Sequence, residues 1–297
     1  MSKRTCPRKD SRLLSPWTRP ARSERFGEAG NAFAPPWPDI AIATGRLSIP
    51  YIRALLRLAG PTTFTVVLQD PKTGLRTADL IWVPEHDRLR GGNVFTTLTA
   101  PHSYSQDRLS ELRRAIPSEI SVLPSPRVTV MLGGPSNAYT FTEADRRRLR
   151  SALASLAGLG ASFLITPSRR TPPALLQAVD EATRFRPRIL WQGQGGNPYP
   201  MFLAHADMLI VTADSVNMTG EACATGRPVY VFEPTGSSTK IARFQAALRC
   251  HGATRILPDR LTCLPQWSYD PLDSASHIAA EVERRWLMSR KALHSLN

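Results

Sequence analysis

The sequence predicts an α/β protein of two Rossmann-like domains. Three observations carry this. Short β-branched runs alternate with stretches of helical periodicity, an order that produces parallel strands covered by helices. The alternation is interrupted at 119–127, a stretch with two prolines that reads as a hinge between two halves. In the second half, small and polar residues gather where strands end, as in sheets that hold ligands at their carboxyl edge.

The elements follow in order. Residues 1–36 carry Pro7, Pro16, Pro20, Pro35 and Pro36 and no sustained periodicity, so they read as a disordered basic segment. A strand over 39–45 leads to a helix over 49–60, closed by Gly60. Strands follow over 63–70, 78–87 and 92–99, then an amphipathic helix over 103–116. The second half opens with a strand over 127–134 and a helix over 142–160, capped by Thr142 and stopped by Gly160. A strand and loop over 161–171 precede a helix over 172–183 with proline in its first turn. Then come a strand over 188–193, a short helix over 198–207, a strand over 208–214, a helix over 215–226 and a strand over 228–234. The domains are therefore 37–120 and 121–265, with a C-terminal segment and helix over 266–297 that crosses back to the first domain.

Composition narrows the setting. The net charge is +14. Eight basic and three acidic residues give +5 to residues 1–36 alone. Such a surface favours phosphate esters, nucleic acid or anionic headgroups, and charge alone does not choose among them. Cys6, Cys223, Cys250 and Cys263 form no CxxC pair and no metal-ligand spacing, which fits buried thiols in a reducing compartment. No apolar run is long enough to span a bilayer, and the basic start lacks the apolar core of a secretory signal. A cytoplasmic protein, with peripheral contact to an anionic inner-membrane surface as an option, is expected. No specific nucleic-acid partner is expected.

Four strand ends of the second half supply the candidate site. They are Gly133-Gly134 with Ser136 and Asn137; Thr166, Ser168, Arg169 and Arg170; Thr212, Asp214 and Ser215; and Glu233 through Ser238. Helix N-termini there offer free N–H groups to phosphate, and the two arginines add charge. Plainer readings stand beside these. A Gly pair after a strand is a tight turn, Arg169-Arg170 a solvated loop, and Asp214-Ser215 a helix cap. Trp191 reads as core, His205 as a surface helix residue, and Arg146–Arg150 as an exposed helix face. Glu221 is the hardest to dismiss, a carboxylate among Thr219, Gly220, Ala222, Cys223 and Ala224. In the first half, Glu85, His86, Asp87 and Arg88 form either an ion-paired loop or part of a site.

The run TADSVNMTGEACATGRPVYVF (212–232) resembles the donor-binding half of glycosyltransferases with the GT-B fold. By that resemblance Glu221 binds ribose hydroxyls, Asp214, Ser215 and Val216 line a diphosphate, and Gly133 and Gly134 open the Gly-rich loop. A GT-B transferase needs a base for the acceptor hydroxyl, often from the N-terminal domain, and His86 or Asp87 is the candidate. No DxD-type metal motif occurs, which fits transfer without a bound metal or other cofactor, the nucleotide diphosphate sugar being a co-substrate.

Across about 34–285, the motifs VPEHDRLRGGNV, GGPSNAYTFTEAD, TPSRRTPP, GNPYPMFLAHAD and KIARFQAALRCHGATR are similar to the bacterial proteins of the mitochondrial-fission-protein family. Members usually open with a strand, a TDG-type turn and a helix. Residues 1–33 show no such unit, so the first domain is expected to lack its first βα element, part of the acceptor side in GT-B enzymes. The resemblance implies a nucleotide-sugar-dependent glycosyltransferase with an unknown acceptor. Alternatives are a sugar-nucleotide epimerase and a non-catalytic, membrane-associated interaction protein.

Overall fold

The structure, a computed structural model, describes residues 34–295. The disordered reading of residues 1–33 and the missing first βα element lie outside the described residues. The chain is α/β, with two Rossmann-like units, each holding an all-parallel sheet. One unit comprises the described residues up to Thr97 together with those from Ser276 onward, and the other is Leu98–Ala275.

The first unit holds strands β1 (Ile40–Thr44), β2 (Phe64–Leu68), β3 (Leu80–Pro84) and β4 (Val94–Thr97), in that spatial order. Helix α1 (Ile49–Ala59) connects β1 to β2 and buries Ile49, Ile52, Leu55 and Ala59 with Val67, Ile81 and Val83. Its Pro50 sits in the first turn, where the missing N–H has no intrahelical partner to lose. The remaining crossovers contain no α-helix. β3 and β4 are joined by a loop that Arg90 ties down, donating to the carbonyls of Asp87 at 2.6 Å and Glu85 at 2.7 Å.

The second unit begins with α2 (Gln106–Arg114) and the single turn α3 (Ser118–Ser121). Its strands are β5 (Arg127–Leu132), β6 (Ser162–Pro167), β7 (Arg188–Leu190), β8 (Met208–Thr212), β9 (Val229–Phe232) and β10 (Thr254–Ile256). Helices α4 (Glu143–Gly158), α5 (Pro173–Thr183), α6 (Tyr199–Ala204), α7 (Val216–Cys223) and α8 (Thr239–Cys250) alternate with them. The long α9 (Ser274–His294) carries the chain out of this unit into the first. The sheet order is β10-β9-β8-β5-β6-β7. Strands added after β5 go first to one side and then to the other, so the order reverses between β5 and β8. A crevice opens at the carboxyl end of such a switch point.

Several expectations differ from what is found. The stretch 119–127 lies inside the second unit, and the chain passes between units at Thr97–Leu98 and Ala275–Ser276. The reason is apolar burial: Leu109 and Leu112 pack on Ala204 and Ala224, and Ile120 and Leu123 on Leu164 and Phe202. His205 is buried rather than on the surface. Its imidazole is held below the usual histidine range by burial first and by Arg127 second. Arg148 is more than a solvated side chain, because it bonds Asp259 at 2.9 Å and lies over the Phe232 ring at 5.4 Å. Cys223 is buried, but Cys250 and Cys263 are exposed, one in the last turn of α8 and the other in a loop. Among the described residues no helix is long and apolar enough to cross a membrane.

Candidate functional site

The switch point between β5 and β8 is built around one buried carboxylate. Register pairs Met131 with Val211, so the two strands end level, at Gly133-Gly134 and at Thr212-Ala213-Asp214. The Asp214 side chain is fully buried. Its Oδ1 accepts from the Thr212 hydroxyl at 2.7 Å, and its Oδ2 accepts from Gly134 N–H at 3.0 Å and from Arg170 Nη2 at 3.1 Å. Gly133 N–H donates to Thr212 Oγ1 at 2.7 Å. Both glycines are required by space. A Cβ on Gly133 would lie 2.1 Å from Asp214 Oδ2, and one on Gly134 would lie 1.9 Å from the Arg170 carbonyl oxygen. The pair's N–H groups are used internally, and the space a side chain would take is filled by Asp214 and by the Arg170 backbone.

The loop after β6 is bound to the same corner. Thr171 Oγ1 donates to the carbonyls of Leu132 and Gly133, and Ser168 N–H donates to Leu132 O at 2.8 Å. Ser168 Oγ accepts from Arg170 N–H at 3.3 Å. Arg170 adds a bond to Pro135 O at 3.1 Å, so it is partly a structural staple. Arg169 is exposed and its guanidinium makes no bond to the described residues. Ser136 closes its own turn, accepting from Ala138 and Tyr139 N–H at 3.2 Å each. The loop after β9 docks there through a bridge between Tyr139 and Gly236.

Beyond Asp214 the chain turns into α7. Ser215 is its N-cap and accepts from Met218 N–H at 3.3 Å. The first-turn N–H groups of Val216 and Asn217 have no intrahelical acceptor, and they sit at the positive end of the helix dipole. Two turns on, Glu221 is partly buried. It accepts one hydrogen bond, from the Tyr199 hydroxyl to Oε2. It has no ion pair among the described residues. Burial pushes its carboxyl above the usual glutamate range, and the Tyr199 bond offsets only part of this. Burial beside Glu221 holds the Tyr199 phenol far above its ordinary value, so Tyr199 is a donor at any working pH. Tyr104 stacks obliquely on Tyr199 with ring centroids 6.1 Å apart, and its phenol is pushed up to about 12 by burial and then by Glu221.

Asp214, Arg170, Gly133, Gly134 and Ser168 are therefore one bonded corner, Ser136 lies in the next turn of the chain without a bond to it among the described residues, and Ser215, Val216 and Glu221 follow on the adjoining helix. Tyr199 and Tyr104 were given no role by sequence. Tyr199 sits in the GNPYP motif, whose two prolines signal only a turn and a helix start. Trp191 is partly buried against the cluster of Ile120 and Phe202. His86 and Asp87 belong to the first unit, in the loop after β3. His86 is buried and Asp87 partly so.

The sequence pattern of the family described as mitochondrial fission ELM1 matches residues 1–286. The chain belongs to that family. The match starts at residue 1, ahead of the motifs that begin near Ala34. Among its relatives, the mitochondrial fission protein ELM1 of Arabidopsis thaliana is 31% identical over 271 residues, covering 83% of this chain and 64% of that protein. The uncharacterized protein RP120 of Rickettsia prowazekii is 32% identical over 159 residues, covering 52% of this chain and 45% of that protein. The chain thus spans less than two thirds of both relatives. Among solved structures, UDP-GlcNAc 2-epimerase from Methanocaldococcus jannaschii aligns with a TM-score of 0.47 at 9% identity, over 83% of this chain and 77% of that one.

Proposed function

We propose that the second unit of this ELM1 family member binds a nucleotide diphosphate sugar, and that the chain transfers its sugar to an acceptor hydroxyl. The observation that carries this is Glu221. It is a partly buried carboxylate with one protein donor and no cation among the described residues, at the carboxyl edge of a parallel sheet. Burial without full pairing is costly, and such groups concentrate where a ligand completes the bonding. A ribose hydroxyl pair is the complement of the open oxygen. The diphosphate would lie on the first-turn N–H groups of Val216 and Asn217, where a helix N-terminus favours anions. Ser136, Ser168, Arg169, Asp214 and Ser215 line or hold that edge, with Arg169 as the cation left for phosphate. Gly133 and Gly134 let Asp214 and the Arg170 loop pack at that edge beside the diphosphate. His86 and Asp87 are the proposed bases for the acceptor.

The test is a thermal-shift and calorimetric screen of nucleoside diphosphates and their sugars. A ligand present at one hundred times its dissociation constant should stabilise the fold by about 2.7 kcal/mol. Turnover with the donor that binds then separates transfer from binding. His86→Ala or Asp87→Asn should lower turnover and leave donor affinity nearly unchanged, since a base acts on the acceptor. Silence from every nucleotide would discard the donor site.

A further inference from the structure

The bond between Tyr199 and Glu221 carries a more specific statement, which rests on the nucleotide reading above. We infer that Tyr199 is a positioning residue that makes this site selective for ribonucleotides over 2′-deoxyribonucleotides, by holding the Glu221 carboxylate so that Oε1 meets one ribose hydroxyl and the remaining acceptor capacity of Oε2 meets the other. A carboxylate on a flexible two-carbon stem reads hydroxyls well only if its plane is fixed, since bond strength falls steeply with angle. Tyr199 is the one hydrogen-bond donor to the Glu221 carboxylate among the described residues.

Tyr199 is suited to this because it is itself fixed. It opens α6, packs on the cluster of Leu203, Leu209 and Val211, and has Tyr104 against its ring at 6.1 Å. It cannot ionise near neutral pH, so it always offers its proton to Glu221. Tyr199 and Glu221 are 22 positions apart with the whole of β8 between them, so the pair is held across two helices and a strand. A single hydroxyl at the 3′ position would engage Oε1 alone, whereas a 2′,3′ pair can also reach the remaining acceptor capacity of Oε2. The second hydroxyl is therefore the one whose recognition depends on where Tyr199 sets the carboxylate.

Calorimetry of ADP, GDP, CDP and UDP and their 2′-deoxy counterparts tests this on the full chain, for wild type, Tyr199→Phe and Glu221→Gln. Wild type should prefer the ribose form of whichever base binds by about tenfold, the worth of a hydrogen bond to a charged group. Tyr199→Phe should bring that ratio near one while leaving affinity for the deoxy form unchanged. It should also move the acid loss of ribonucleotide affinity to higher pH, because the phenol's bond lowers the carboxyl's pKa. A purely structural role would move neither quantity selectively. Tyr199→Phe retaining the wild-type ratio and pH profile would overturn the inference, as would a wild type that binds nucleotides without ribose preference. In either case nucleotide binding itself stands. Failure of all eight compounds would instead overturn the nucleotide reading. If Tyr199→Phe does not fold, Glu221→Gln decides: a ribose preference that survives it removes the carboxylate, and with it Tyr199, from recognition.

Discussion

Two carboxylates seven residues apart on the same sheet edge have opposite surroundings. Asp214 is fully buried and saturated, taking a hydroxyl, a backbone N–H and a guanidinium. Glu221 is partly buried, takes one phenol, and carries a raised pKa. An acidic side chain whose bonding is complete is part of the scaffold. One that is costly to bury and incompletely paired is where a ligand has something to add. Asp214 therefore belongs to the framework of this edge, and Glu221 is the acid proposed to meet a ligand.

The sharpest break of this contrast is Asp214→Ala. It strands Gly134 N–H and the Thr212 hydroxyl, each costing about 1–3 kcal/mol when left buried without an acceptor. It also frees Arg170, which is half-exposed and can turn to water. Urea unfolding should show a large loss of stability with or without nucleotide, and an unchanged midpoint would mean the corner is not held by Asp214.

Gly134→Ala tests the same corner from the other side. The new methyl would meet the backbone of Arg170 at 1.9 Å, with no flexible side chain to yield. Overpacking of that kind costs about 1–3 kcal/mol. The loop carrying Ser168 and Arg169 should shift with it, so nucleotide affinity should fall together with stability. Stability lost with affinity intact would separate this loop from the site.

Glu221→Gln should do the reverse and stabilise the protein slightly. Glu221 holds its proton more tightly folded than unfolded. Below the ordinary glutamate pKa both states are protonated and no penalty exists. As pH rises from there through the raised folded value, the unfolded state releases its proton first and stability falls. Glutamine removes that acid-range slope and keeps an oxygen for the Tyr199 hydroxyl. Melting temperature near neutral pH should rise by a few degrees at most, corresponding to less than about 1 kcal/mol. A variant less stable than wild type near neutral pH would place Glu221 with Asp214 as scaffold.

Much of this was legible in the sequence. The strand-helix alternation from 127 to 234 is local information, since a strand's period of two and a helix's of 3.6 show in any short window. The caps Thr142 and Ser215 are equally local, being hydroxyls three residues before the N–H they accept from. The gathering of Gly133-Gly134, Arg170, Asp214 and Glu221 at one edge follows from parallel strands, which all end on the same side. What tertiary structure alone decided is the state of each group there. β10 is three residues long and exists because β9 pairs with it, so no window of sequence marks it. The hinge reading of 119–127 failed for a similar reason: prolines mark a break in an element but say nothing of which core buries Ile120 and Leu123. Asp214 meets Gly134 across 80 residues and Arg170 across 44, and Glu221 meets Tyr199 across 22. Saturation of a carboxylate is a count of donors within about 3 Å. That count is set by packing between elements, and so a chain can announce two acids at one edge without telling which of them is open.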